Sequence, residues 1–318
     1  MNCALWVTST LQAGAMNCAP TACRYHLRLS PHCTYLNGIG PLWSPSEAAT
    51  PHLNQSCHVP TKPTKGRPAI NVSTHAIQVR NQTVYYQVAG EGKPVILVHG
   101  LSGSSLWWRR NVPALAEHYK VYLIDLPGFG SMRHFGGRFS LDRITSGLLL
   151  WMEAVGIKKA HLVGHSMGGY ICLWVAAHRP DVVDHLVLVS PAGIPKVRSI
   201  FGFAVPLLVS MRYVSPAFFL ILTYDALRAG PLTLLKAAQD LLTKDIRDCL
   251  KMISAPTLLV WGTGDTLVPP ALGDILHQEI ANSRLLLLEK AGHVGMFDLP
   301  GQFNAAILAF LAGETVGM

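Results

Sequence analysis

The sequence predicts an α/β fold, a mostly parallel central sheet covered by helices with a helical lid inserted at about residues 194–254. Three observations predict it. Short apolar runs such as VILVH (95–99), LVLVS (186–190) and TLLVW (257–261) have strand length, as expected of strands covered on both faces. Helix-like segments alternate with these runs, which suits right-handed crossovers between parallel strands. The stretch between LVLVS and TLLVW is too long to be a featureless loop, and most of it has helical spacing.

The elements follow in order. Thr83 to Ala89 reads as a strand and Gly90 to Pro94 as a turn; VILVH then breaks at Gly100. A helix from about Pro113 to His118 leads into KVYLIDLPGFG, a strand ending at Asp125. A helix over Leu141 to Val155 precedes the strand AHLVG (160–164), and another helix spans about Gly168 to His178. RLLLLE (284–289) supplies the last strand. Within the long insertion, residues 202–224 are very apolar, but Pro206, Arg212 and Pro216 divide them into lengths too short for a membrane span of about 20 residues. They read instead as a lid over the strand ends, with peripheral membrane contact as an alternative use. Residues 231–253 alternate charged and apolar groups at helical spacing, so one face can meet water.

Composition divides the chain near residue 68. Residues 69–318 read as the folded domain. Residues 1–68 hold five of the seven cysteines and no sustained period, and read as a flexible or targeting-like extension. Cys18, Cys23, His26 and Cys33 fit no compact zinc spacing. The triplets at Asn54, Asn71 and Asn81 carry no weight without other signs of secretion. The formal charge is +8, of which +4 lies in residues 1–68, where Arg24, Arg28, Lys62, Lys65 and Arg67 oppose Glu47. No basic block, aromatic stacking series or finger spacing accompanies that charge, which argues against a nucleic-acid partner and leaves weak attraction to an anionic surface.

VGHSMGGY (163–170) carries the chemistry. A strand running straight into a helix forces its central residue into a crowded backbone conformation. Small neighbours at Gly164 and Gly168 relieve the clash, and Ser166 is presented above the sheet at a helix start. An ordinary helix cap would not need those glycines. A serine hydroxyl needs a base, and the base needs an orienting acid. Asp265, in the loop after TLLVW, and His293, in the loop after RLLLLE, fall on the strand-end face that carries Ser166. Asp298 competes as the acid, but its place after the histidine suits a cap on the closing helix, and Glu289 is expected to point elsewhere. The glycine-containing turn HGLSGSS (99–105) offers the Leu101 N–H, which with the Met167 N–H would form an oxyanion hole. His99 reads as an anchor of that turn, and His165 as directed to the far side of its own. This chemistry calls for no cofactor and no metal.

HGLSGSS (99–105), DLPGFGSM (125–132), GHSMGG (164–169), GTGD (262–265) and GH (292–293) together resemble the α/β-hydrolase fold family, its serine hydrolases with a helical lid, over about residues 70–312. The resemblance implies Ser166 as nucleophile, Asp265 as acid, His293 as base, and Leu101 and Met167 as oxyanion donors. The serine at the elbow disfavours relatives that open epoxides or displace halide through an aspartate. Fold does not fix substrate. The expected function is hydrolysis of a small apolar or lipid-like carboxylic ester through an acyl-enzyme. Carbon–carbon bond hydrolysis, with Arg109, Arg110 or Arg212 binding a substrate carboxylate, and a hydrolase-like ligand receptor are the alternatives. Phe201, Phe203, Leu207, Leu208, Phe218, Phe219, Leu220 and Leu222 are expected to give the lid an acyl-binding surface.

Overall fold

A computed structural model describes residues 70–134, 139–194, 202 and 204–314. The cysteine-bearing extension, Phe201 and Phe203 lie outside the described residues. Eight strands form one sheet in the order β1-β2-β4-β3-β5-β6-β7-β8. They are β1 (Val72–Val79), β2 (Gln82–Ala89), β3 (Pro94–Val98), β4 (Lys120–Ile124), β5 (Ala160–His165), β6 (Val183–Val189), β7 (Thr257–Gly262) and β8 (Ser283–Leu288). β3 to β8 run parallel, while β1 and β2 add an antiparallel hairpin at one edge.

Burial follows the sequence pattern. β5 and β7 are buried along their whole length, as their apolar runs require between two helical layers. β8 closes the other edge and mixes partly exposed with exposed positions until Leu288 is buried. The crossover helices are α1 (Val112–Ala116), α2 (Leu141–Ala154), α3 (Met167–His178) and α7 (Ala271–Glu279), and α8 (Gly295–Asp298) and α9 (Pro300–Leu311) end the chain. In α3 every residue except Trp174 and His178 is buried, so this helix has no water-facing side.

Between β6 and β7 the chain forms α4 (Ala204–Ser210), α5 (Pro216–Ala229) and α6 (Pro231–Leu242). Ser215 caps α5 by accepting from the Phe218 N–H, and Gly230 ends it at φ 78° before Pro231 starts the next helix. No single helix among the described residues is long and apolar enough to cross a membrane; α5 and α6 reach that length only together, across a 98° bend.

Phe218 anchors the insertion. Its ring lies 4.9 Å from those of both Trp107 and Phe297, and it is 2% exposed. The apolar residues expected to bind substrate therefore divide in two. Phe218 and Leu222 pack on the core, whereas Leu207, Leu208, Phe219 and Leu220 are exposed.

Candidate active site

Ser166 stands between β5 and α3 with φ 50° and ψ −113°, a strained backbone for any residue but glycine. The surroundings hold it there. Its N–H donates to the Val189 carbonyl at 3.0 Å, and its own carbonyl accepts from Tyr170 and Ala192, each at 3.0 Å. A side chain at Gly168 would collide with the Val98 and His99 carbonyls, so the helix start can press against the end of β3 only because that position is glycine. Ser166 makes no side-chain cap to α3, so the cap reading of this serine is not the one its geometry takes.

His293 and Asp265 come together from two loops. His293 Nδ1 lies 2.8 Å from Asp265 Oδ2, and Asp265 is 3% exposed. The other carboxylate oxygen accepts from the Leu267 and Val268 N–H groups at 3.0 and 2.9 Å. The carboxylate is thus held on both sides, and it fixes the Nδ1–H tautomer of His293, leaving Nε2 as the basic nitrogen.

The turn after β3 meets the same place. A Cβ added at Gly100 would lie 3.2 Å from the Ser166 Cβ, which puts the backbone leading into Leu101 directly against the serine. His99 fixes that turn as expected: Nε2 accepts from the Leu126 N–H at 2.9 Å, so Nδ1 carries the proton and donates to the Gly100 carbonyl at 2.8 Å. Complete burial lowers the pKa of His99 and keeps it neutral. Among the described residues, no main-chain or side-chain acceptor takes the N–H of Leu101 or Met167. Met167 opens α3, where the first N–H groups have no partner within the helix.

Two expectations are corrected here. His165 does not turn away from the site: its Nε2 donates to the His293 carbonyl at 2.9 Å, and the two rings are 4.7 Å apart. The residue before the serine thus supports the loop that carries the histidine. Burial holds its pKa well below the ordinary value. Asp298 does not cap the closing helix, whose N-cap is Leu299 with no side-chain bond. It lies at the end of α8, where burial raises its pKa to about 6 against the opposing influence of Ser215 and Arg110. Glu289 is exposed.

Several contributors were not visible in local sequence. Asp125, at the end of β4, accepts from the Ser105 N–H at 2.6 Å and the Ser131 N–H at 2.7 Å. Asp225 of α5 is 2% exposed and accepts from Ser104 Oγ at 2.7 Å and Trp107 Nε1 at 3.1 Å. The insertion thereby grips the residues that follow the Leu101 turn. Burial raises Asp225 to about 6, against its hydrogen bonds from Ser104 and Trp107. Tyr213, also from the insertion, packs its ring on Gly264 and its Cβ on Gly292, the residues before Asp265 and His293; a Cβ at either glycine would lie 2.5 Å from a Tyr213 atom. Beside Tyr213, an open apolar depression of about 480 Å³ is lined by Met211, Val214, Pro216, Phe219 and Leu220.

Of the arginines considered for a substrate carboxylate, Arg110 is engaged elsewhere. Arg110 donates to the Phe297 carbonyl at 2.9 Å and stacks 4.1 Å above its ring. Arg109 lies 5.4 Å from the same ring, and Arg212 is exposed.

A sequence model of the α/β hydrolase fold matches residues 93–231 and 223–300. The chain is 32% identical over 253 residues to a dihydrolipoyllysine-residue acetyltransferase component of an acetoin cleaving system from Pseudomonas putida, covering 71% of this chain but just under two thirds (66%) of that protein. It is 31% identical over 251 residues to a pimeloyl-[acyl-carrier protein] methyl ester esterase from Aeromonas hydrophila, covering 70% of this chain and 96% of that one. Against a 2-hydroxy-6-oxo-6-phenylhexa-2,4-dienoate hydrolase from Comamonas testosteroni, identity is 30% over 263 residues, with 72% and 91% covered. With this match, the strand order and the serine elbow all in agreement, the chain belongs to the α/β-hydrolase fold family and is a hydrolase.

Proposed function

We propose that this hydrolase is a serine carboxylic ester hydrolase acting on an apolar or lipid-like ester. One observation carries the reading: the His293–Asp265 pair, joined at 2.8 Å, follows the same ends of the parallel strands as a strained Ser166, whose neighbour His165 holds the His293 backbone. In the proposed reaction His293 Nε2 removes the Ser166 hydroxyl proton as Oγ bonds to the ester carbonyl carbon. The carbonyl oxygen takes up negative charge and accepts from the Leu101 and Met167 N–H groups. The carbon–oxygen bond to the alcohol then breaks, the alcohol leaves with the proton from His293, and an acyl-Ser166 ester remains. Water repeats the sequence in reverse, returning the proton to Ser166 and releasing the acid.

The apolar side of the reading rests on the helical insertion. We assign it the part of a lid. Its depression beside Tyr213 suits an acyl chain, and Val205, Leu208, Leu220, Leu227 and Leu232 are each at least 70% exposed. So much exposed apolar surface in one segment supports substrate capture at a lipid interface and peripheral membrane contact. The methyl ester esterase among the relatives supports an oxygen ester; the dienoate hydrolase among them supports the carbon–carbon alternative, against which stands the engagement of Arg110, one of the three arginines considered for it, with Phe297.

The test is turnover of aryl and glycerol esters by wild type and Ser166→Ala, with folding checked by circular dichroism. The reading expects loss of turnover in the variant; equal rates would refute it. A phenylhexadienoate-type diketone included in the panel separates the two chemistries.

A further inference from the structure

A second cluster of chemistry-bearing side chains sits at the other end of β5. Ala160 pairs with Val183 and Leu162 with Leu186, so a single residue of β5, His161, faces two of β6, Asp184 and His185. This irregularity gathers three side chains that a regular ladder would spread apart. One potential ligand atom of each lies within 4.8 Å of the others. His161 Nδ1 is 3.5 Å from Asp184 Oδ2, and His185 Nδ1 is 3.8 Å from the same oxygen. These separations are too long for hydrogen bonds but close to the edge of a tetrahedron around a divalent ion, about 3.4 Å for ligand bonds near 2.0–2.1 Å.

His161 points to a ligand independently of that spacing. It is 1% exposed, and among the described residues neither of its ring nitrogens has a hydrogen-bond partner. His185 Nδ1 is likewise buried without one. Buried imidazole nitrogens left unpaired lose their hydration for no return. One exposed cation stands nearby: Lys159 is 3.7 Å from the other oxygen of Asp184, a place from which it can orient the carboxylate without occupying the ligand oxygen.

The geometry points to a binding site for a borderline divalent ion, zinc in the first place, formed by His161, Asp184 and His185 with the fourth position open to water. Two imidazoles and one carboxylate match the donor preference of that ion. The site lies at the opposite end of β5 from Ser166, about 16 Å along the strand at 3.3 Å per residue, and takes no part in the ester chemistry. Its effect is to pin β5 to β6 beneath the elbow.

Full-length protein stripped with a chelator would be titrated with Zn²⁺ alongside Asp184→Asn and His185→Gln, whose metal-free melting temperatures report that they fold. Wild type is expected to take up one more zinc equivalent than either variant, and to gain several degrees in melting temperature that the variants do not. The affinity of that equivalent should fall at least about 100-fold, since outer partners alone are worth about 10–100-fold. Cobalt in the same equivalent should show no thiolate-to-metal band, which separates it from the five cysteines in residues 1–68. Equal stoichiometry in wild type and both variants, or a difference equivalent carrying a thiolate band, overturns the assignment.

Discussion

The serine elbow and the helical insertion meet in one molecule but are built on opposite terms. Around Ser166 almost every group is buried and committed: β5, α3 and the turn after β3 press together, and the backbone strain at φ 50° is held by three main-chain bonds. The insertion turns much of its apolar surface outward, and it is tied to the sheet at a few points, chiefly Phe218, Asp225 and Tyr213. Under the proposed function the contrast assigns reaction chemistry, which needs fixed donors, to the buried part, and substrate choice, which needs a surface that can vary without disturbing them, to the insertion.

The largest effects should come from the buried part. Ser166→Ala and His293→Ala are expected to lower kcat/KM by about 10³–10⁶-fold, with Asp265→Asn nearer the smaller figure, because these groups act as a unit. Steady-state kinetics on a soluble ester measures this. His165→Ala should follow at about 100-fold in kcat with little change in KM, the scale of loss when a reacting group is misplaced by about 1 Å. An unchanged kcat would show that the hydrogen bond to the His293 carbonyl positions nothing.

The insertion should give smaller effects that depend on the substrate. Replacing exposed Leu208 and Leu220 together with Asp is expected to lower kcat/KM for octanoyl esters by about 10-fold and for acetyl esters by less than about 2-fold, given about 0.8 kcal/mol per buried methylene. Chain-length series below the aggregation concentration would show it. Equal losses for both esters would turn the comparison around and make the insertion a structural element.

The smallest effect concerns the joint between the two regions. Asp225 is raised from 3.8 to about 6 by burial. An acid bound more tightly to its proton in the native state favours folding below pH 3.8, and that contribution fades as pH rises through 6. Asp225→Asn keeps an acceptor for Ser104 and Trp107 without the buried charge. Its melting temperature should exceed that of wild type by about 2–4 °C at pH 7.5, with the gap closing toward pH 4. Scanning calorimetry across that range decides it, and a constant gap would mean that Asp225 does not titrate there.

Much of this architecture was legible in the sequence because its strands carry their own signal. VILV, LVLV and TLLVW are apolar enough to require cover on both faces, and each lies in a parallel strand of the sheet. The hairpin strand β1 was not, since VSTHAIQV mixes polar and apolar groups on a partly exposed edge. The elbow was legible because its glycines answer a local steric demand. His165, Asp225 and Tyr213 were not, because their roles arise from contacts with His293, Ser104 and the Gly264 and Gly292 loops, far away in the chain. Local pattern also assigned Phe218 and Leu220 to one acyl surface, whereas helix rotation buries the first and exposes the second.

In the proposed function His293, oriented by Asp265, makes Ser166 a nucleophile. Labelling by a fluorophosphonate, followed by mass spectrometry of the digested protein, reads that out without a chosen substrate. One phosphonate adduct is expected on the peptide containing Ser166 in wild type, with a labelling rate at least about 100-fold lower in folded His293→Ala. An adduct on a different residue, or equal labelling rates in the two proteins, would contradict it.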